Sequence, residues 1–229
     1  MGIFWLASYP KSGNTWLRMA LQCLQRGTAV HINDPTGRAS MAARRYTFDT
    51  LLHVDSAHLT DAEVQCARPR VYEHMVREAR EPLLLKVHDA WTYTPADEPL
   101  FPPTVTDGVI YIVRDPRDVA VSLAHHLACP MDKAISCMAD ASYRGAAWQA
   151  TPGRQISQRL LTWSGHVESW LDAPGIRRHV VRYEEMVLSM LTVLTEVVHF
   201  MVWRTDTASL IRAVEATRFA TLQAQEESS

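Results

Sequence analysis

The stretch that decides the fold is residues 4–21, FWLASYPKSGNTWLRMAL. Its first half continues an apolar run, Ile3–Ser8, that reads as a buried strand. From Asn14 to about Gln25, Leu17, Ala20, Leu21 and Leu24 fall on one side of a helix that Gly27 ends. Tyr9–Gly13 must therefore turn the chain from a strand into a helix. Such a turn presents free backbone N–H groups and the positive end of a helix dipole, which together favour an anion. Gly13 permits close approach, Ser12 and Thr15 add hydroxyl donors, and Lys11 adds a full positive charge. For the Ser-Gly pair alone a plain structural turn would suffice; the Lys-Ser-Gly-x-Thr combination points to phosphate.

The rest of the chain repeats the strand–helix alternation. LLLKVH (83–88) and GVIYIVR (108–114) are short apolar runs suited to central parallel strands, and HVVRYEE (179–185) is a fourth candidate. Helical patterns occupy Asp118 to Cys129, Ser157 to Leu171, and roughly 187–203 and 206–217, with weaker ones at Tyr46–Leu52 and Asp61–Arg80. The segment between the second and third strands is proline-dense and reads as a loop. The expected fold is α/β, one domain over residues 1–229 with an open central parallel sheet covered by helices on both faces.

Bulk properties narrow the partners. A net charge of −2 over 229 residues gives no broad electrostatic footprint for nucleic acid, although a local basic pocket is compatible with it. Cys23, Cys66, Cys129 and Cys137 form no CxxC pair, which fits reduced thiols in a cytoplasmic protein and offers no zinc cluster. The apolar start is too short for a signal-peptide core, and Leu6 removes the hydroxyl that a myristoylation signal at Gly2 requires. Residues 186–203 are apolar but interrupted by Glu196 and His199, as in a buried helix rather than a membrane span.

The loop is not a Walker A sequence, because G-x-x-x-x-G-K-[ST] is absent. The strand ends at Lys86 and Arg114 carry cations where a magnesium nucleotide would call for an aspartate. A metal-free, phosphate-rich ligand suits these residues better. His88, beside Lys86 at a strand end, can serve as a general base because imidazole titrates near neutrality. Lys86 and His88 lie two residues apart and so share one side of the strand.

Taken together, YPKSGNTW (9–16), KVH (86–88) and RDPRDVAVS (114–122) resemble the cytosolic sulfotransferase family, and WSGHVESW (163–170), RYEEM (182–186) and ATRF (216–219) extend the likeness. The opening loop most resembles bacterial sulfotransferases that tailor natural products such as glycopeptide antibiotics. The resemblance implies a P-loop-like fold. It also implies transfer of a sulfuryl group from 3′-phosphoadenosine 5′-phosphosulfate (PAPS) to a small-molecule hydroxyl, leaving adenosine 3′,5′-diphosphate and using no metal. It assigns Lys11, Ser12, Gly13, Asn14 and Thr15 to the 5′-phosphosulfate, and Arg114 with Ser122 to the 3′-phosphate. Trp16 and Phe219 would flank the adenine, with Tyr183 and Thr217 touching it. His88 would be the base, with Lys11 and Lys86 stabilising transferred and leaving charge.

Arg117 and Asp118 would cap or brace the helix. Trp91, Tyr93, His125 and His126 are expected near the acceptor, where aromatic rings would suit a phenol. Val87 stands where the family usually has threonine, and the chain ends at LQAQEESS without the family's nucleotide-covering loop. Partners would be a hydroxyl-bearing small molecule, with no nucleic acid and no membrane. The competing readings are an ATP-dependent small-molecule kinase and a non-catalytic nucleotide-binding relative.

Overall fold

A computed structural model describes residues 1–31, 41–145 and 153–222. Four parallel strands form its central sheet in the order β2-β1-β3-β6: β1 (Ile3–Ser8), β2 (Leu83–Val87), β3 (Thr106–Val113) and β6 (Arg178–Arg182). β1 pairs with β2 from Ile3↔Leu83 to Ala7↔Val87, and with β3 on its other side. Alternation along β1 divides the core between two faces. Trp5 and Ala7 pack with Leu85, Val87, Tyr111 and Trp170, while Leu6 packs with Ile110, Ile112, Val181 and the helices of the opposite layer.

That opposite layer contains α1 (Asn14–Arg26), α7 (Tyr183–Phe200) and α8 (Thr207–Ala216). The first face is covered in part by α3 (Asp61–Glu78) and α6 (Trp163–Leu171). Helices α2 (Arg45–Leu52), α4 (Pro116–Leu127) and α5 (Met131–Ala139) and a short hairpin of β4 (Arg144–Gly145) and β5 (Gln158–Arg159) complete the described chain. The α/β fold and its sheet match the sequence expectation.

Several boundaries differ. The helix expected over Ser157–Leu171 begins only at Trp163, because Gln158 and Arg159 pair with Gly145 and Arg144. Thr162 then caps α6, its hydroxyl accepting from Gly165 N at 2.9 Å. The last strand ends at Arg182, and Tyr183 opens α7 with Glu184 and Glu185 in its first turn, where carboxylates favour the helix dipole. α7 is interrupted at Ser189, whose φ of −154° and ψ of 82° are non-helical. α5 and the hairpin were not anticipated. The C-terminal residues 223–229, on which the covering-loop expectation bears, lie outside the described residues. Among the described residues no helix is long and apolar enough to cross a membrane.

Candidate active site

The C-terminal ends of β1, β2 and β3 open into a cavity of about 1160 Å³. Lys11, Gly13, Asn14, Thr15, Trp16, Lys86, His88, Arg114, Tyr183 and Phe219 all line it. An open parallel sheet presents its chemistry at this end.

The loop after β1 is held in a left-handed turn, with φ of 69° at Lys11 and 93° at Gly13. The glycine is required on two counts. Its φ disfavours a side chain, and a Cβ there would lie 2.5 Å from Tyr183 Cδ2. α1 has no acidic residue in its first turn and no side-chain cap, so the N–H groups ahead of Trp16, whose own N–H donates to Gly13 O at 3.0 Å, remain available to an anion. The Asn14 amide donates to Leu6 O at 2.8 Å and Ser8 Oγ at 3.1 Å, tying the helix start to the end of β1. Arg114 donates to Lys11 O at 3.0 Å and stacks its guanidinium 4.2 Å from the centre of the Tyr183 ring. Ser12 Oγ and Arg114 Nε are buried without a hydrogen-bond partner. Buried donors of this kind are costly unless something bonds them.

His88 is fixed through Nδ1, which lies 2.8 Å from Ser8 O. A carbonyl can only accept, so Nδ1 carries the proton and Nε2 keeps its lone pair. Burial and the neighbouring Lys86, with smaller contributions from His166 and Lys11, push the His88 pKa well below the ordinary histidine value despite its bond to Ser8. The imidazole is therefore neutral, the form a base needs. Lys86 is lowered to about 8 by burial and by the charges of Arg18 and Lys11.

Behind His88 lies a polar layer that the sequence did not reveal. Buried His166 donates from Nε2 to His88 O at 3.0 Å and accepts at Nδ1 from Tyr111 Oη at 2.8 Å. Burial, partly opposed by the bond to His88, lowers its pKa to about 4. Asp89 is fully buried and takes two bonds from Arg68, at 2.8 and 2.6 Å. It also accepts from Arg159 N at 3.0 Å, while its carbonyl accepts from Trp170 Nε1 at 3.0 Å. Asp89 was visible beside His88 in the sequence, but nothing local named Arg68 as its partner.

Not every expected residue reaches the cavity. Ser122 is half-buried on α4 and does not line it. The hydroxyl of Thr217 donates to Ala213 O at 2.8 Å, while its carbonyl accepts from Trp16 Nε1 at 2.8 Å. Thr217 thus orients the indole and turns its own hydroxyl into α8. Trp91 is buried in the core, and Tyr93 lines a separate small pocket. Of the two helix histidines, only His126 lines the cavity. The helix cap at 115–118 belongs to Asp115, which accepts from Arg117 N at 2.9 Å.

The family model for the sulfotransferase domain matches residues 3–229. Among solved structures, mouse sulfotransferase SULT7A1 complexed with PAP superposes with a TM-score of 0.58 at 17% identity, over 96% of this chain and 65% of that one. Retinol dehydratase in complex with retinol and PAP gives 0.59 at 16% identity, over 97% of this chain and 66% of that one. This chain thus spans about two thirds of the length of these proteins, and identities at that level speak for the fold. No curated protein matches it significantly. The match of the family model along nearly the whole sequence means that the chain belongs to the sulfotransferase domain family.

Proposed function

We propose that this protein transfers a sulfuryl group from PAPS to the hydroxyl of a small molecule, with His88 as general base. The observation that carries this reading is His88 itself. Its Nδ1 is anchored to Ser8 O, its pKa is depressed, and it shares one cavity with Lys11, Lys86 and the N-terminus of α1.

The residues suit such a donor. Ser12 and Arg114 offer buried, unbonded donor atoms, and the uncapped start of α1 has no competing carboxylate. Lys11, Ser12, Gly13, Asn14 and Thr15 would hold the 5′-phosphosulfate, and Arg114 the 3′-phosphate, with Ser122 needing to turn toward the cavity to assist. Trp16, Tyr183 and Phe219 supply aromatic surface for adenine, where stacking contributes about 1–3 kcal/mol per base. Thr217 acts through its carbonyl. When bound, the donor supplies a sulfuryl group on a phosphate leaving group.

His88 Nε2 takes the proton of the acceptor hydroxyl, and the anchored Nδ1 keeps that nitrogen aimed into the cavity. Lys11 and Lys86 offset negative charge on the donor side, a contribution that counts most in the transition state. The cavity also bears on the acceptor. Tyr9, Leu123 and Leu160 pack together, with Leu127 and Tyr143 against them, and all five line it. Its charged lining residues are Lys11, Lys86, Arg114 and Arg154, with no carboxylate among the described residues. That combination favours a neutral or anionic, largely apolar alcohol or phenol over a cationic amine, and natural-product tailoring agrees with the opening loop.

The test is calorimetry with adenosine 3′,5′-diphosphate against magnesium ADP, followed by an acceptor screen with labelled PAPS. The 3′-phosphate nucleotide should bind more tightly, and His88→Ala should lower turnover by about 10²–10⁴-fold with nucleotide affinity unchanged. Preference for magnesium ADP would favour a kinase. PAPS binding without turnover across phenols and alcohols would favour a non-catalytic relative.

A further inference from the structure

The β4/β5 hairpin pairs Arg144 directly with Arg159 and Gly145 directly with Gln158. Side chains alternate between the faces of a strand. Gly145 and Gln158 accordingly line the large cavity, whereas Arg144 and Arg159 line a second pocket of about 160 Å³. Two like charges directly opposite one another across a strand pair destabilise it. With two residues in each strand, the hairpin's own ladder offers little against that repulsion, which is met by backbone bonds to Asp89 and Ala90.

Among the described residues neither guanidinium is paired with a carboxylate. Neither arginine side chain makes a hydrogen bond or ion pair among the described residues, and Arg144 Nη1 is buried without a partner. Asp61 is the one acidic residue among those lining the pocket; it takes a bond from Gln65 at 3.4 Å, forms no ion pair with either arginine, and leaves the pair with a net positive charge. The sequence joining the two strands, AAWQATPGRQIS (146–157), contains no acidic residue. The remaining lining includes Thr92, Tyr93 and Thr94, and the Thr94 hydroxyl accepts from Ala96 N and Glu98 N at 3.3 Å.

We propose that this pocket binds a small oxyanion of the phosphate or sulfate class between Arg144 and Arg159. The planar guanidinium fork can give two parallel bonds to such a group, and two forks facing one space can hold it from both sides. The anion neutralises the cross-strand repulsion and satisfies the buried Nη1. It also steadies the wall of the large cavity, because Arg159 N donates to Asp89 at 3.0 Å and Arg159 O accepts from Ala90 N at 2.7 Å, next to His88. The site does not depend on the reaction proposed above.

Two measurements test it, with inorganic phosphate and tungstate as probes. Crystals soaked in tungstate should show an anomalous peak within bonding distance of both guanidinium groups. Phosphate should raise the thermal unfolding midpoint of Lys11→Ala, in which the large cavity is weakened for anions. Adding Arg159→Gln to Lys11→Ala should weaken that phosphate response about tenfold or more, whereas Arg159→Lys should retain part of it. In phosphate-free buffer Arg159→Gln should be no less stable than the parent, since a repulsion is removed. An unchanged phosphate response in the Arg159→Gln variant, or tungstate confined to the large cavity, would overturn the assignment.

Discussion

Replacing Arg68 with methionine removes a guanidinium that is 1% exposed and leaves the fully buried Asp89 carboxylate without its counter-ion. Asp89 then retains only the bond from Arg159 N at 3.0 Å in place of the two Arg68 bonds at 2.8 and 2.6 Å. Breaking a buried pair from one side typically costs about 3–5 kcal/mol, because the surviving charge stays out of water. In a protein of this size each kcal/mol moves the melting midpoint by about 2–4 °C, so Arg68→Met should lower it by roughly 6–20 °C. Loss of the Tyr72 hydroxyl's bond from Arg68 Nε, at 3.1 Å, adds in the same direction. Urea unfolding and calorimetry are the assays, with Arg68→Met/Asp89→Asn as the second variant. Removing the stranded charge should recover part of the loss, because the charge and not the missing contact dominates it. A loss below about 1 kcal/mol, the size of an exposed ion pair, would refute the reasoning. So would a double variant no more stable than Arg68→Met. Turnover measured well below the new midpoint should also fall, since Asp89 adjoins His88.

Two further outcomes follow from the loop and the cavity. Gly13→Ala should weaken nucleotide binding and destabilise the fold by about 1–3 kcal/mol, the range for a strained φ, because the new Cβ meets Tyr183 at 2.5 Å; calorimetry and urea unfolding read both effects. The folded Lys86 titrates near 8 against 10.5 for the free side chain, so between those values the unfolded state binds more protons and stability rises with pH. Lys86→Met should flatten that rise in melts run from pH 7.5 to 10.5, and an unchanged slope would count against the depressed lysine.

How much of this was legible in the sequence depended on whether the signal was local. The strand, turn and helix of residues 3–26 could be read directly, because Gly13 and Gly27 punctuate a clear change of periodicity and both adopt left-handed backbone. His88 and Lys86 were found because two residues on one strand share a face. Tyr183 was misplaced because RYEE follows the apolar HVV with no glycine or proline to mark a break, yet its glutamates sit in the first turn of α7. The hairpin was hidden because its stability comes from contacts far away in sequence, chiefly Arg159 N to Asp89 and Ala90 N to Arg159 O. Thr217 illustrates the limit for single residues. The resemblance assigned it to the adenine beside Tyr183, but its bond from Trp16 and the loss of its hydroxyl to Ala213 O depend on how α8 packs. Arg68 carried no mark at all. A lone arginine in a helix is ordinarily solvated, and only the folded chain brings it across to the residue beside His88. The layer behind His88 is therefore tertiary in origin, and Arg68 and Asp89, the positions that best probe it, lie outside every motif that carried the resemblance.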